Sequence, residues 1–257
     1  MQKEFNLSVR VFGADNYLCH YTSFDSLCSI LSTMTLRVSS FARSNDIGEL
    51  ESNISCILSS EKVRQIEQYI ENHCSYVSFS VDKRMHAKYA NPKCGYLIPS
   101  MWGIYADKSQ GACLVIDEKA LIRENNSALS IAQWYKFIDI TYSQFQNLKI
   151  VYSKDTPTEI TQKLYLHLLG TKHISWSSEQ ERRLIGVDLP QTLSLKNGVI
   201  RGVVIGKRAT ERQKKILLSV LNDANLSCYN QLDKEIFVRQ EIIGSNIYTT
   251  GLGTYLC

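Results

Sequence analysis

The alternation of apolar and polar positions at the start of the chain predicts a strand, a helix and a strand, in that order. An apolar stretch covers residues 17–21, and the apolar residues between positions 24 and 31 recur at the i, i+3, i+4, i+7 spacing of an amphipathic helix. Ser23 stands where a helix N-cap belongs. Leu36 and Val38 then alternate with polar residues, which predicts a short strand that ends before the turn-forming residues 44–46.

Helical and strand patterns keep alternating through the rest of the chain. Apolar residues between positions 50 and 70 recur at helical spacing, with an interruption near residues 59–60. Thr156 with Glu159 has the capping-box pattern, and so does Thr210 with Gln213, so each pair predicts the start of a helix. Strands are predicted at residues 76–81, 112–116, 134–140, 176–187 and 199–205, and a helical turn at residues 101–106. Because helices and strands mix in one run, the pattern predicts an α+β fold.

The length of the chain and its lack of repeats favour one domain. At 257 residues it exceeds the common domain size but is shorter than two average domains. The sequence contains no internal repeat and no linker rich in proline or serine. We therefore expect a single domain over residues 1–257, with its core at about residues 17–222 and a C-terminal extension at residues 223–257.

The composition is that of a globular protein, with 44% apolar and 21% charged residues. No stretch approaches the roughly 18 consecutive apolar residues of a membrane-spanning helix, and charged residues interrupt the start of the chain where a secretory signal would be apolar. The eight cysteines are spread along the chain, which is typical of free thiols in a reducing compartment. We expect a soluble cytoplasmic protein with no membrane partner and, because no CxxC spacing occurs, no bound metal.

Basic residues concentrate in two segments, although the net charge is only +4. The first segment, residues 82–100, contains aromatic side chains between its basic ones, as a loop that contacts phosphates and stacks on bases would. A second basic segment lies at residues 201–215. Either segment can instead be a solvated surface. The candidate residues for binding a macromolecular substrate are Lys83, Arg84, Lys88 and Lys93.

Common nucleotide-binding and hydrolase motifs are absent: the chain has no GxGxxG, GxxxxGK or GxSxG sequence. His20 comes at the end of a predicted strand, directly before a capped helix, so its imidazole can bond a ligand hydroxyl or can instead be a core histidine bonded to the backbone. Trp102 and Tyr105 are three residues apart, as neighbours on a helix would be. They can stack on a planar ring, or they can be core residues.

Two acids, Glu179 and Glu181, are the strongest candidates for chemistry. On the predicted strand they face the same way, about 7 Å apart. Paired carboxylates can catalyse the cleavage of a glycosidic bond: one stabilises the cationic sugar and the other accepts a proton. The alternative is an exposed strand edge whose acids pair with Arg182 or Arg183.

An ordered series of short segments resembles a widespread bacterial family known only as domain of unknown function 2971 (DUF2971). The segments are Leu18-Cys19-His20-Tyr21-Thr22-Ser23, Leu27, Ile30-Leu31, Leu36-Arg37, Asn45-Asp46, Glu49, Met101-Trp102, Tyr105-Ala106, Gly111, Trp176, Glu179, Glu181, Arg182 and Val203-Val204-Ile205-Gly206. The resemblance spans roughly residues 18–221, and Ile47 departs from it where a proline is expected after Asn-Asp.

The opening strand-helix pattern is also similar, more remotely, to ADP-ribosyltransferases that act on nucleic acids and to RNA 2′-phosphotransferases. This second resemblance implies a split mixed β-sheet with flanking helices and a cleft that binds NAD as a substrate. It further implies His20 on the ribose, an aromatic side chain on the nicotinamide and Glu181 on the reacting ribose, with Glu179 as the first acid of a Glu-x-Glu pair. The residues expected to contact NAD are His20, Tyr21, Thr22, Asn45, Asp46, Trp102 and Tyr105.

The resemblance implies an enzyme that cleaves NAD and transfers ADP-ribose to a macromolecule, either a nucleic acid or a protein. Such an enzyme would act as a toxin or a phage-defence factor, with an antitoxin or a defence-system protein as its partner. Two other functions remain open. The same cleft can hydrolyse NAD, or the chain can be a non-catalytic module that binds nucleotides or nucleic acid.

Overall fold

The computed structural model describes residues 17–41, 60–81, 95–144, 155–223 and 238–240. By the density of its internal contacts the chain divides into two compact units, each built from separate segments. The first unit contains Met1–Leu36, Phe79–Asn125 and Leu193–Cys257, and the second contains Arg37–Ser78 and Asn126–Thr192. The expected count of one domain stays a prediction.

Helices and strands alternate along the described chain. The strands are β1 (Tyr17–Thr22), β2 (Thr35–Arg37), β3 (Ser39–Ser40), β4 (Cys74–Val81), β5 (Ala112–Asp117), β6 (Trp134–Asp139), β7 (Thr141–Ser143), β8 (Thr171–His173), β9 (Glu181–Val187), β10 (Thr192–Ser194), β11 (Ile200–Ile205) and β12 (Val238–Gln240). The helices are α1 (Phe24–Thr33), α2 (Ser60–His73), α3 (Pro99–Ile104), α4 (Glu118–Glu124), α5 (Asn126–Leu129), α6 (Pro157–Leu168) and α7 (Glu211–Asp223). Short 3₁₀ turns lie at Gly95–Leu97 and Ile174–Glu179. The α+β class is confirmed, with sheets of mixed but mainly antiparallel strands flanked by helices.

In the first unit the strand order is β12-β11-β5-β1, followed by the last residues of β4. The β1–β4, β1–β5 and β5–β11 pairs are antiparallel, and β11–β12 is parallel. Strand β5 has a partner on each side and is buried along residues 112–116, which explains its nearly continuous apolar sequence. An apolar cluster packs on this sheet around Trp102; it consists of Cys19, Tyr21, Tyr96, Trp102, Ala106, Cys113, Val115 and Val204.

In the second unit the first residues of β4 are followed by β9 and β6, and β3 pairs with β4. The β6–β9 pair is antiparallel, and β7 and β8 form a separate parallel pair. Helices α2 and α6 supply much of the core beside this sheet. Its buried residues are Phe41, Ile66, Ile70, Cys74, Ile138, Ile140, Ile160, Leu168, Leu169, Ile185 and Val187.

The helix starts that the sequence predicts are confirmed by hydrogen bonds. The Thr156 hydroxyl accepts a bond from the Glu159 backbone N–H (3.3 Å), and the Glu159 carboxylate accepts one from the Thr156 backbone N–H (2.8 Å). The Thr210 and Gln213 pair repeats this reciprocal arrangement before α7. Each cap satisfies N–H groups that the helix itself leaves without a partner.

Candidate functional site

The chain around the two candidate acids differs from the predicted strand. Residues Ile174–Glu179 form a 3₁₀ turn, and Gln180 has a left-handed backbone (φ 49°, ψ 49°), so β9 begins only at Glu181. The prediction of one strand over residues 176–187 is therefore wrong in its first part. Glu179 and Glu181 do not alternate along a strand, because the positive φ at Gln180 turns the chain between them.

The two carboxylates nevertheless meet, at one ammonium group. The Lys172 Nζ lies 2.8 Å from the Glu179 Oε2 and 2.8 Å from the Glu181 Oε2. The Arg183 Nε lies 2.5 Å from the Glu181 Oε1, and its second amino nitrogen donates to the Oε2 at 3.2 Å. We call Lys172, Glu179, Glu181 and Arg183 the buried charge cluster. Its two acids and two bases belong to the second unit.

All four members of the buried charge cluster are withdrawn from solvent. The exposed fractions of their side chains are 8% for Lys172, 4% for Glu179, 5% for Glu181 and 1% for Arg183. Charges are tolerated in such places only when they are paired and hydrogen-bonded. The alternative of acids on an exposed strand edge is therefore wrong about exposure, although the pairing of an acid with Arg183 that it included is found at Glu181. Arg182, one of the partners expected there, instead pairs with Asp139 (2.7 Å).

Arg183 is anchored from several sides. Its Nη1 donates to the Leu169 carbonyl oxygen at 3.1 Å. Its guanidinium carbon lies 5.0 Å from the centre of the Tyr76 ring and 5.9 Å from that of Phe41, within the range of cation–π attraction. A backbone oxygen, two rings and a carboxylate thus hold this cation in place.

The Glu181 carboxylate accepts a further hydrogen bond, and its backbone N–H donates one. The Ser78 hydroxyl donates to its Oε1, which also accepts from Arg183. The backbone N–H of Glu181 donates to the Tyr142 hydroxyl oxygen at 2.9 Å. With Lys172 and Arg183 on Oε2, each carboxylate oxygen accepts two hydrogen bonds. Hydrogen bonds to both oxygens therefore fix the orientation of the side chain and satisfy its charge.

The electrostatics keep Glu181 ionised. Burial alone would raise the pKa of its carboxyl group, but the charges of Arg183 and Lys172 and their hydrogen bonds outweigh burial and lower the pKa to about 2. Burial likewise lowers the pKa of Lys172, but the carboxylates of Glu181 and Glu179 outweigh it and raise the pKa above the ordinary value of lysine. A carboxylate with so low a pKa is a poor proton acceptor near pH 7 and is suited to stabilising positive charge.

The candidate ribose-binding residues lie on β1, in the first unit. The His20 side chain is half-buried, and its ring meets the ring of Phe79 edge-on at 6.0 Å between centroids. The Tyr21 side chain is buried: its hydroxyl donates to the Gly95 carbonyl oxygen (2.7 Å) and accepts from the Ile98 backbone N–H (3.2 Å). Thr22 is also buried. His20 is thus the most accessible of the three.

The candidate stacking residues have different surroundings. Trp102 is 0% exposed, its Nε1 donates to the Tyr96 carbonyl oxygen (2.9 Å), and its ring packs edge-on against Tyr21 at 5.1 Å. The core encloses this ring, so stacking on a planar ligand would require α3 to move away from the sheet. Tyr105, at the end of α3, is half-buried.

Several predicted residues lie outside the described residues. They are Asn45, Asp46, Lys83, Arg84, Lys88 and Lys93. Among the residues that the structure describes, no three His, Cys, Asp or Glu side chains converge as a metal site would require. In the same described ranges, no helix combines the length and the apolar character that crossing a membrane requires.

Sequence reasoning missed the role of Lys172 and assigned Arg183 only to an exposed pair. The two-residue spacing of Glu181 and Arg183 on one strand could have placed their side chains on the same face. No comparable signal exists for Lys172, because β8 brings it to the acids through its parallel pairing with β7, where Lys172 stands opposite Tyr142.

A comparison with models of protein families finds a match over part of the chain. Residues 101–184 match the model of the family described as "Protein of unknown function (DUF2971)", which confirms the expected resemblance to that family over this segment. The matched segment contains Trp102 and the whole buried charge cluster. No curated protein matches the chain. Among solved structures the chain is similar to DarT of Thermus sp. 2.9 in complex with ADP-ribosylated ssDNA, at 13% sequence identity and a TM-score of 0.37, covering 91% of this chain and 97% of that one.

Proposed function

We propose that this protein is an ADP-ribosyltransferase-like enzyme that cleaves NAD and transfers ADP-ribose to a macromolecular acceptor. The observation that carries the proposal is Glu181: a buried carboxylate, oriented by four donors and kept ionised far below neutral pH. Such a group matches the requirement of the reaction, in which positive charge develops on a sugar.

The proposed reaction breaks the glycosidic bond between the nicotinamide ring nitrogen and the ribose. The electron pair of that bond leaves with nicotinamide, and the ribose becomes oxocarbenium-like. A nucleophilic group of the acceptor then bonds to the same carbon and loses its proton. Glu181 would accept a hydrogen bond from a ribose hydroxyl and stabilise the cation, an interaction that a buried site strengthens because fewer water dipoles screen it.

Glu179 would accept the proton that the incoming acceptor group loses. Its carboxylate faces the same ammonium as Glu181 but belongs to the 3₁₀ turn rather than to β9. In a paired-carboxylate scheme one acid stabilises the cation and the other accepts the proton, so with Glu181 on the ribose Glu179 is the proton acceptor.

The other predicted contacts stay predictions. They are His20, with Tyr21 and Thr22, on the ribose; Asn45, Asp46, Trp102 and Tyr105 on NAD; and Lys83, Arg84, Lys88 and Lys93 on the acceptor. The partly exposed imidazole of His20 is compatible with a ligand contact. The basic residues favour a nucleic-acid acceptor by their charge.

The test is nicotinamide release from NAD by the full chain, with and without added RNA, DNA or cell lysate. Glu181→Gln keeps the shape of the side chain but removes its charge, and we expect a loss of at least about 100-fold in turnover. Glu61→Gln is the matched control, because Glu61 is an exposed acid of the same unit and should leave turnover unchanged. Equal turnover by wild type and a folded Glu181→Gln variant would refute the site.

The same measurement separates the alternatives. Turnover that needs no macromolecule indicates an NAD glycohydrolase. A non-catalytic binding module is favoured by the fact that four donors already surround the Glu181 carboxylate. Such a module would release no nicotinamide under any condition. Growth of cells that express wild type or Glu181→Gln tests the proposed role as a toxin or a defence factor, since only the active enzyme should arrest growth.

A further inference from the structure

The two cations of the buried charge cluster are held very differently. Arg183 is fixed by a backbone oxygen, two aromatic rings and the Glu181 carboxylate. The ammonium of Lys172 contacts the two carboxylates and lies 5.5 Å from the centre of the Trp176 ring. It is carried on a flexible four-carbon side chain. Of the two cations, Lys172 is the one that can move without dismantling the core.

The strand that carries Lys172 is also lightly held. β8 has three residues, and its pairing partner is β7, another strand of three residues. Arg183, by contrast, lies on β9, which has seven residues and pairs with β6 along its length. Short two-stranded pairs are marginally stable on their own. Displacing the chain near Lys172 therefore requires less free energy than displacing it near Arg183.

The saturation of Glu181 makes such a displacement necessary for the proposed reaction. Both oxygens already accept two hydrogen bonds, so a ribose hydroxyl can bind only if one donor leaves. Arg183 is anchored elsewhere, and losing its charge from a buried carboxylate is costly. A sugar that becomes cationic can replace an ammonium group beside two carboxylates with little change in net charge.

We propose that Lys172 is an exchangeable positioning residue. Without substrate its ammonium binds the carboxylates of Glu179 and Glu181 together, and it withdraws when the reacting ribose occupies its place between them. This inference rests on the proposed function, since the cationic sugar is the group that replaces the ammonium. Lys172 itself touches neither the departing nicotinamide nor the acceptor and acts through the two acids.

The ionisation of Glu181 links this exchange to pH. The titratable and charged groups that face Lys172 are Glu179 at the end of the 3₁₀ turn, Glu181 and Arg183 on β9, and Tyr142 on β7. Lys172 is one of the two cations that lower the pKa of Glu181. Without its charge the pKa of Glu181 must rise, so the activity of a variant that lacks the ammonium should begin to fall at a higher pH than that of the wild type.

The experiment compares kcat and KM for NAD cleavage from pH 5 to pH 8 in the full-length wild type, Lys172→Met and Lys172→Arg. For Lys172→Met we expect the fall of kcat/KM in acid to have its midpoint at a higher pH than in the wild type, by about one pH unit or more, with KM at pH 8 equal to or below that of the wild type. Lys172→Arg should restore the wild-type pH profile. Lys163→Met is the control, because Lys163 forms a more exposed pair with Asp155 in the same unit and should behave as wild type.

Two results would overturn the inference. A loss of the same factor at every pH would mean that Lys172 only supports the fold, and a KM raised tenfold or more at pH 8 would mean that it binds the substrate directly. Lys172→Gln is measured in parallel, so that a folding defect of the methionine variant does not decide the outcome.

A second readout separates this inference from the proposed function. The Glu181 carboxyl is titrated by NMR in ¹³C-glutamate-labelled protein and assigned by its loss in Glu181→Gln. We expect its midpoint to lie at higher pH in Lys172→Met than in wild type. If wild type releases no nicotinamide but the midpoint moves, the proposed function fails while the ionic role of Lys172 stands. If nicotinamide is released but the midpoint does not move, the inference about Lys172 fails.

Discussion

Replacing Glu181 by glutamine should change how the stability of the protein depends on pH. In the folded chain burial raises the pKa of Glu181, but the charges and hydrogen bonds of Arg183 and Lys172 outweigh burial and lower the pKa from 4.5 to about 2. A lowered pKa stabilises the fold at pH values above the unfolded pKa of 4.5. This contribution is lost as the pH falls from about 4.5 to about 2.

The size of the contribution follows from the pKa difference. At about 1.4 kcal/mol per pKa unit, the change from 4.5 to about 2 corresponds to about 3 kcal/mol. Near pH 7 the glutamine variant should be less stable than wild type by about 3–5 kcal/mol, since removing one partner leaves buried cations uncompensated. Because the side chain of the Glu181→Gln variant has no carboxyl group to protonate, this difference should shrink by about 3 kcal/mol between pH 5 and pH 2.

Urea denaturation followed by circular dichroism measures these free energies of unfolding at intervals from pH 7 to pH 2. Glu61→Gln serves as the control, because Glu61 is an exposed acid of α2 and its removal should leave the wild-type pH dependence unchanged. A stability difference between wild type and Glu181→Gln that stays constant across the whole pH range would refute the electrostatic reasoning. So would a variant as stable as wild type at pH 7.

Three further changes test individual contacts. Thr156→Ala removes the hydroxyl that caps α6 by accepting a hydrogen bond from the Glu159 backbone N–H, and should lower the free energy of unfolding in urea by about 1 kcal/mol. Thr156→Ser keeps a hydroxyl and should lower it by less; equal losses would contradict the cap. Trp102→Ala empties a fully buried position and should lower the free energy of unfolding by on the order of 3–5 kcal/mol. A variant as stable as wild type but with a raised KM for NAD would instead favour a stacking role. Gly111→Ala places a Cβ against the main-chain oxygen of Thr22, the last residue of β1, and should lower the melting temperature. Gly103→Ala meets no atom within 4 Å and should leave the melting temperature unchanged; the reverse order would contradict the packing at this turn.

Local sequence signals predicted most elements correctly. The amphipathic spacing of α1, the reciprocal caps at Thr156 and Thr210 and the apolar run of β5 all depend on residues that are neighbours in the chain. For such elements a short window contains nearly all of the determining interactions. The sequence also correctly indicated an α+β class and the DUF2971 resemblance.

The prediction around the two acids was partly wrong for a physical reason. Alternation of polar and apolar residues can be read as a strand, but a single left-handed residue, Gln180, ends that pattern. Nothing in its residue type requires this backbone, which is rare for a side chain other than glycine and is maintained by its surroundings. Sequence spacing therefore indicated that the two acids lie close together but predicted the wrong backbone between them.

What the sequence determined by itself is therefore local: which segments form helices and strands, and where two of the helices begin. The tertiary structure alone decided that Glu179 and Glu181 would share the ammonium of Lys172 and that Arg183 would be anchored beside them. The reason is that a buried charge needs partners at hydrogen-bonding distance. Here the partners come from β4, β8, β9 and the 3₁₀ turn before β9, and no short window of sequence encodes how these segments come together.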